Sequence, residues 1–203
     1  MSLVEINNSD YLDALQSVVY DHVEERFVNN ANEQRRYALH LRCNDITVKN
    51  VLQTNNMQIL FGTISERHFR HLLKIDERLL EIINSSPSFQ EEDSQELVSI
   101  SSYIRQNSNG DYVIRLDIDD DPETKSYFFE TGTGSTNSSS DDVNEVNPMT
   151  IQPGQKIDAV VHIVVSVDET RSECNFTSVI EEARVLPYEQ PPKPKRKPAY
   201  LKA

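Results

Sequence analysis

Apolar and polar residues alternate with a period of two in several segments of the chain, a pattern typical of β-strands with one buried face. The clearest alternations lie at residues 112–118 and 157–167. The same pattern predicts shorter strands near residues 37–43, 46–51, 57–62, 127–129 and 176–185. The buried positions predicted for the two clearest strands are Tyr112, Ile114, Leu116, Ile118, Ala159, Val161, Ile163 and Val165.

Three other segments repeat apolar residues at helical spacing. Residues 9–27 begin with a Ser-Asp pair that can cap a helix. Residues 63–66 have the spacing of a capping box and open the clearest helix, which ends before Pro87. A short third helix is predicted over residues 93–105. The apolar stripe of the central helix comprises Phe69, Leu72, Leu73, Leu79, Ile82 and Ile83.

These elements together predict an α+β fold, in which an antiparallel β-barrel or sandwich has two or three flanking helices. Residues 1–36 are predicted to be an N-terminal helical segment, and residues 37–187 the main domain. Within that domain, residues 131–150 are rich in Gly, Ser, Thr, Asn and Asp, which predicts a mobile insertion. Residues 188–203 are predicted to be a disordered, basic, proline-rich and flexible C-terminal tail.

The charge of the chain is divided between an acidic body and this basic tail. The chain has 20 Lys and Arg against 33 Asp and Glu, a net charge of −13, and five of the basic residues follow the last acid, Glu189. Prolines keep the tail extended around a cluster that matches a nuclear-import signal, so we expect a nuclear protein. The alternative is a solubilising tail without a targeting role. The predicted signal comprises Lys193, Lys195, Arg196 and Lys197.

The order of elements over residues 37–187 resembles that of one known family. A strand ends in Leu60-Phe61-Gly62, a helix carrying the pair Ile75-Asp76 follows, and the turn Pro153-Gly154 begins the long apolar strand. This order resembles the OB-type single-stranded DNA-binding proteins of large DNA viruses and short-tailed phages. The resemblance implies an OB-like barrel and a viral, non-enzymatic role in DNA replication or recombination. Together with the tail, it implies a location in the host nucleus.

The chain departs from that family in two respects. It has no tryptophan, which members often carry in the strand after the glycine turn. Its tail is basic, whereas phage members tend to end in an acidic tail that competes with DNA. Competition between the tail and DNA is therefore not carried over to this chain.

Binding of a single strand requires cations for the phosphates and exposed rings on which bases stack. Residues 127–129, Tyr-Phe-Phe, offer rings on both faces of a predicted strand, because neighbouring side chains alternate. Burial of both faces is the alternative for this triplet. We expect single-stranded DNA as the partner, together with replication or nuclear-import proteins. The candidate binding residues are Arg42, Lys49, Arg67, Arg70, Lys74, Arg115, Lys125 and Phe128.

The sequence contains no motif that indicates a catalytic, cofactor or metal site. It lacks a Gly-x-Ser-x-Gly elbow and a glycine-rich phosphate loop, so we expect neither an enzyme nor a bound cofactor. His68 and His71 lie three residues apart on a helix, but no third ligand accompanies them, so we expect no metal. The longest apolar run, residues 159–165, is too short to span a membrane.

A second interpretation is an acidic nuclear protein-interaction domain or a virion structural protein. An acidic surface would attract basic partners such as histones. DNA binding predicts a contiguous positive groove that includes Arg115 and either Arg67 or Arg70, whereas the second interpretation predicts acids on every face. The sequence leaves homo-oligomerisation open.

Overall fold

A computed structural model describes residues 2–5, 11–21, 26–29, 37–54, 57–86, 99–121, 124–131, 143–168 and 173–188. Its first strands are β1 Ser2–Glu5, β2 Val18–Asp21, β3 Arg26–Asn29, β4 Tyr37–Thr54 and β5 Met57–Thr63. The α-helix α1, Glu66–Asn84, and the short strands β6 Ser99–Ser101 and β7 Ile104–Gln106 follow. The remaining strands are β8 Tyr112–Ile118, β9 Tyr127–Thr131, β10 Val143–Glu145, β11 Lys156–Asp168 and β12 Glu173–Val185. Short 3-10 helices lie at Asp13–Leu15 and Pro148–Thr150.

Five of these strands pair in a closed circuit. β4 pairs with β5, and β5 with β8, both antiparallel. β8 pairs with β12 in parallel, β12 pairs with β11 antiparallel, and β11 returns to β4, again antiparallel. A circuit of this kind gives each of its strands a hydrogen-bonding neighbour on both sides. The remaining strands pair with members of the circuit or with each other.

The core lies inside this circuit, and each of the five strands contributes to it. Leu41, Leu60, Leu116, Val161 and Ile180 come one from each strand, and each is fully buried. The alternations predicted for residues 112–118 and 157–167 are confirmed, since their apolar positions are buried except for the half-buried Tyr112.

Gly62 marks a close approach of β4 and β5. A Cβ at this position would lie 2.4 Å from Cγ2 of Ile46 and 3.3 Å from the carbonyl oxygen of Thr47. Because real Cβ atoms do not approach other atoms at 2.4 Å, a larger residue would push the two strands apart. The glycine that ends the Leu-Phe-Gly sequence is therefore required by packing.

The predicted central helix is confirmed as α1. The Ser65 hydroxyl caps its first turn by accepting a hydrogen bond from the His68 amide at 3.2 Å. Leu73 was predicted to join the apolar stripe but is exposed, because its neighbour Leu72 already faces the core and successive helical positions diverge. The buried side chains of the helix are Leu72, Ile75, Asp76, Leu79, Ile82 and Ile83.

The prediction of an N-terminal helix over residues 9–27 is wrong. The described part of this segment forms the 3-10 turn, β2 and the first residues of β3, and these two strands pair antiparallel. Their apolar side chains, including Leu15, Phe27 and Val28, are buried in the same core as those of residues 37–187. Pairing of β3 with β4 overrides the helical spacing, so the segment adds strands to the sheet.

The short helix predicted over residues 93–105 is also wrong in its described part. Residues 99–101 form β6, which pairs in parallel with β12, and residues 104–106 form β7, which pairs with β8. The described residues therefore contain one α-helix rather than two or three, and their sheet is mixed rather than purely antiparallel. Most of the predicted insertion, at residues 132–142, and the tail from residue 189 lie outside the described residues.

Candidate nucleic-acid interface

Six of the eight predicted binding residues fall on three separate parts of the surface, and the other two, Lys125 and Phe128, lie elsewhere. The first is the outer side of β4, β5 and β8, called here the β5–β8 face, and it carries Arg115. The second is the solvent side of α1, called the α1 face, and it carries Arg67, Arg70 and Lys74. The third is the groove across β4, β11, β12 and β9, called the β9–β11 groove, and it is lined by Arg42.

Strand register places an aromatic ring beside a cation on the β5–β8 face. Phe61 of β5 is paired with Arg115 of β8, and paired residues project from the same face of a sheet. Phe61 alternates with the buried Leu60 and Gly62, so its ring lies on the outer side, where it is partly exposed. Arg105 of β7 is paired with Val113 and adds a second exposed cation.

The guanidinium of Arg115 is oriented by a carboxylate of its own strand. Its Nε donates to Oδ1 of Asp117 at 2.9 Å and its Nη2 to Oδ2 at 3.2 Å. Asp117 is itself buried, so this two-point contact fixes the plane of an otherwise mobile side chain. The Arg115 side chain is still 46% exposed and can contact a ligand.

Apolar side chains surround this pair. Leu52 and Met57, from the hairpin of β4 and β5, are 45% and 43% exposed. Leu52 is paired with Ile59, and Nη2 of Arg115 lies 4.0 Å from the sulfur of Met57. The face therefore combines exposed apolar groups, a ring and two arginines, which is the composition of a surface on which bases stack.

A polar cleft borders the β5–β8 face on the side of β6 and β12. Arg115 lines it together with Ser101, Ser102, Asn175, Thr177 and Ser178. The Ser178 hydroxyl donates to the Arg115 carbonyl at 2.6 Å and ties β12 to β8 where the two strands begin to separate. Hydroxyl and amide groups beside an arginine are suited to phosphate oxygens.

The α1 face brings Arg67, Arg70 and Lys74 together, but it does so among acids. These three residues line a shallow depression with Glu66 and Glu77. Nη2 of Arg70 contacts Oε1 of Glu66 at 2.5 Å, one helical turn away. The net charge of this cluster is consequently small.

The two helix histidines named as a weak metal candidate have other surroundings. The His71 ring stacks on Tyr11 with centroids 4.6 Å apart. Burial, more than the nearby His71, lowers the pKa of His68. Among the described residues, no group of three or more His, Cys, Asp or Glu side chains has an arrangement that could hold a metal ion.

The β9–β11 groove contains charges of both signs, and Nη1 of Arg42 within it pairs with Glu5 at 3.1 Å. Lys125 lies outside this groove, in a separate depression, where its Nζ pairs with Glu145 at 2.5 Å. Phe128 is 1% exposed, so its prediction as a stacking residue is wrong. The alternation of β9 turns its neighbour Tyr127 outward instead.

Lys49 lies apart from that groove, at an irregularity of β4. The register of β4 against β5 shifts between Val48 and Asn50, which leaves Lys49 as an exposed extra residue. Asn50, the next residue, is paired with Phe61, so Lys49 borders the β5–β8 face.

The sequence named Arg115 as a candidate but not Phe61, Arg105 or Leu52, which lie on the same face. Phe61 was part of the family pattern, yet its face was not assigned. Strand alternation could have assigned that face, because residue 61 faces outward if Leu60 and Gly62 face the core. Arg105 was assigned to a helix, which concealed its position beside β8.

Comparisons with known proteins return matches by structure. No family model and no curated protein matches the chain by sequence. The chain is similar to the single-stranded DNA-binding protein of bacteriophage Enc34, with a TM-score of 0.49 and 9% identity over 89% of this chain and 96% of that one. It is similar to the same protein in complex with single-stranded DNA, with a TM-score of 0.49 and 8% identity over 87% of this chain and 98% of that one. It is also similar to the single-stranded DNA-binding protein gp2.5 of bacteriophage T7, with a TM-score of 0.45 and 12% identity over 75% of this chain and 93% of that one.

These matches are to the same class of phage proteins that the order of elements in the sequence resembles. None of the helices in the described residues has the length and apolar character needed to cross a membrane.

Proposed function

We propose that the closed circuit of strands is an OB-like barrel that binds single-stranded DNA on the β5–β8 face. The observation that carries this proposal is the cross-strand pair of Phe61 and Arg115, set among the exposed side chains of Leu52 and Met57. A ring and a fixed guanidinium side by side can take one base and one adjoining phosphate. No row of base-edge donors is needed for such contacts, so little sequence preference is expected.

The acidity of the chain limits how strong the electrostatic part of binding can be. Lys and Arg side chains of the described residues make at least six ion pairs with Asp or Glu, and the whole chain carries −13. Few phosphate contacts are then available, so stacking supplies a large share of the affinity. A role in covering exposed strands during replication or recombination follows from low sequence preference.

The test is a salt titration of binding to a labelled single strand, with duplex and RNA of the same length as controls. We expect retention of the single strand at low salt and weaker binding of the duplex. Arg105→Ala should reduce the slope of log Kd against log salt by about 0.7 for the lost phosphate contact. Arg78→Ala, which removes an exposed arginine paired with Glu81 on α1, is the matched control and should leave the slope unchanged. Absence of any single-strand binding at low salt would reject the proposal.

The ion pairs also favour a second candidate function, the binding of basic proteins. Acids accompany the cations on the α1 face and in the β9–β11 groove, so neither surface is uniformly positive. An acidic domain in the nucleus would attract histones or other basic partners. Capture of purified histones at physiological salt, together with no retention of oligonucleotide at low salt, would favour this function over DNA binding.

We further propose that the basic cluster at residues 193–197 directs the chain to the nucleus. Its support is the sequence pattern alone, a short run of Lys and Arg between prolines. Loss of nuclear accumulation on removal of residues 191–203 from a large fluorescent fusion would support it.

A further inference from the structure

Asp76 is a carboxylic acid in the core, on the buried side of α1. It is 2% exposed. Its Oδ2 accepts a hydrogen bond from the Ser102 hydroxyl at 2.6 Å, and among the described residues its Oδ1 has no hydrogen-bond partner. Burial of a carboxyl with one unsatisfied oxygen costs folding free energy. We therefore expect Asp76 to have a role other than packing. An apolar residue at this position would avoid that cost.

Ser102 connects Asp76 to the backbone of the binding residue. Its hydroxyl oxygen also accepts from the Ile104 amide at 3.2 Å, which fixes the turn that precedes β7. Within that turn, the Tyr103 carbonyl accepts from the Arg115 amide at 2.8 Å. Three successive hydrogen-bonded contacts therefore run from the helix to the strand position that presents Arg115.

The buried carboxyl is poised between its two charge states near neutral pH. Burial raises the pKa of Asp76 to about 7, opposed by the Ser102 hydrogen bond and the nearby Tyr103 hydroxyl and aided by Glu77. Burial also raises the pKa of Tyr103 well above its usual value and that of Cys43 to about 12. Of the titratable groups Asp76, Tyr103 and Cys43, Asp76 is the one whose charge changes between pH 6 and 8.

We propose that Asp76 is a positioning residue that couples binding of single-stranded DNA at Arg115 to the uptake of a proton. The inference rests on the proposed function. A phosphate beside Arg115 brings negative charge toward the buried carboxyl, and the neutral form of Asp76 is then favoured. By linkage, the protonated protein binds the single strand more tightly, and the affinity falls as pH rises through neutrality.

The experiment measures Kd of the full chain for a labelled oligothymidylate at constant ionic strength from pH 6 to 8.5. The Kd of the parent should be roughly threefold higher at pH 8.5 than at pH 6, because ionised Asp76 adds one negative charge that repels the phosphate. Asp76→Asn keeps an oxygen that can accept from Ser102 but cannot ionise, so the part of the pH dependence that comes from Asp76 should be missing from its profile. Glu77→Gln removes an exposed neighbouring acid that helps to raise the pKa of Asp76, so its profile should keep the amplitude of the parent with a midpoint at lower pH.

The histidines do not confound this comparison. His40 and His162 both contact Glu181, at 2.7 and 3.4 Å, and His68 and His71 lie on α1. All five histidines of the chain are identical in the parent and the variant. A difference between the two pH profiles consequently reports Asp76 alone. A purely structural role would change the melting temperature and leave the profile of affinity against pH in place.

Ser102→Ala supplies an independent variant if Asp76→Asn does not fold. Loss of the Ser102 hydrogen bond removes a contact that lowers the pKa of Asp76, so the midpoint of the binding profile should move to higher pH. An Asp76→Asn profile with the slope of the parent would overturn the inference, as would an unmoved midpoint in Ser102→Ala. If the proposed function itself is wrong, the parent will not bind the oligonucleotide at any pH.

Discussion

The β5–β8 face and the α1 face carry arginines of the same kind in different settings. On the α1 face, Arg70 pairs with the exposed Glu66 on a helix surface open to solvent. On the β5–β8 face, Arg115 is fixed by the buried Asp117 and lies beside a ring and apolar groups. Exposed helix pairs contribute little and are screened by salt, whereas a fixed guanidinium loses less entropy when it binds. The two faces differ in how firmly their arginine side chains are held, more than in how many charges they carry.

The largest effect should come from breaking the circuit that supports the β5–β8 face. Val161 is fully buried in β11, opposite Leu41 of β4 and Ile180 of β12. Val161→Asp places an unpaired charge in the core and should cost about 3–5 kcal/mol of unfolding free energy, enough to unfold a marginal domain. Thermal or urea denaturation measures it.

Val164→Asp is the matched control for that variant. Val164 lies on the other side of the same strand and is 38% exposed, so its change should cost about 0.5 kcal/mol or less. Equal melting temperatures for the two variants would show that the faces of β11 are assigned incorrectly.

The next effect concerns the ring on the β5–β8 face. Phe61→Ala should weaken binding to a single strand by about 1–3 kcal/mol, the range for loss of one stacked base. Tyr127→Ala removes a more exposed ring from β9, beside the β9–β11 groove, and should not change the affinity. Fluorescence anisotropy of a labelled oligonucleotide compares them, with melting curves to verify that both fold. A stronger effect of Tyr127→Ala would move the interface to that groove.

A third prediction compares cations of the two faces. Arg115→Gln should lower the affinity for a single strand by about 1 kcal/mol or more, because a charge-assisted contact is lost. Arg70→Gln should change it little, since Arg70 lies on the α1 face, outside the proposed interface. An equal loss in both variants would indicate one continuous positive groove across β8 and α1, as the sequence predicted.

The fourth prediction is that the free energy of unfolding depends on pH through Asp76, on the buried side of α1. The folded pKa of Asp76, about 7, lies above the ordinary pKa of 3.8 for an aspartate, so the folded state holds this proton more tightly than the unfolded state does. Stability from Asp76 is then full below pH 4 and falls by about 1.4 kcal/mol per pH unit up to pH 7. Urea unfolding of parent and Asp76→Asn should diverge over this interval and run in parallel above it. Curves that remain parallel from pH 4 to 7 would contradict a raised pKa.

The smallest effect on stability should come from deleting residues 191–203. Exposed charges separated by more than about 8 Å interact little at physiological salt, so the melting temperature should stay within experimental error. The same deletion should shift a large fluorescent fusion from nucleus to cytoplasm. If the fusion stays nuclear while affinity for DNA drops at low salt, the tail contacts phosphates instead.

The sequence predicted best the elements in which apolar residues follow a single period, either the alternation of a strand or the repeat of a helix. The strands at 112–118 and 157–167 and the helix α1 have strong alternation or helical repeats, and tertiary contacts agree with them. The prediction for β2 and β3 failed because their apolar spacing also fits a helix, whereas pairing of β3 with β2, with the start of β4 and with the distant β11 stabilises strands. Such pairing is invisible in a local window of sequence.

The site was predictable only in part for the same reason. Alternation alone places Arg115 on the outer side of its strand. Its proximity to Phe61 depends on the register between β5 and β8, which local patterns do not give. The burial of Phe128 rather than Tyr127 depends on which side of β9 meets the core, and β9 is held by β12, more than fifty positions along the chain.

The pairing of β8 with β12 also has a consequence for how the protein folds. It joins Asp117 to Val179, and the pairing of β4 with β11 joins Leu41 to Val161. Contacts between segments so distant in sequence must overcome a large loop-closure entropy, which slows folding into the range of milliseconds to seconds. During synthesis, a chain that has not yet emerged beyond residue 173 lacks β12, the strand that closes the circuit between β8 and β11. The edges of β8 and β11 then stay exposed to other chains until the last strand arrives.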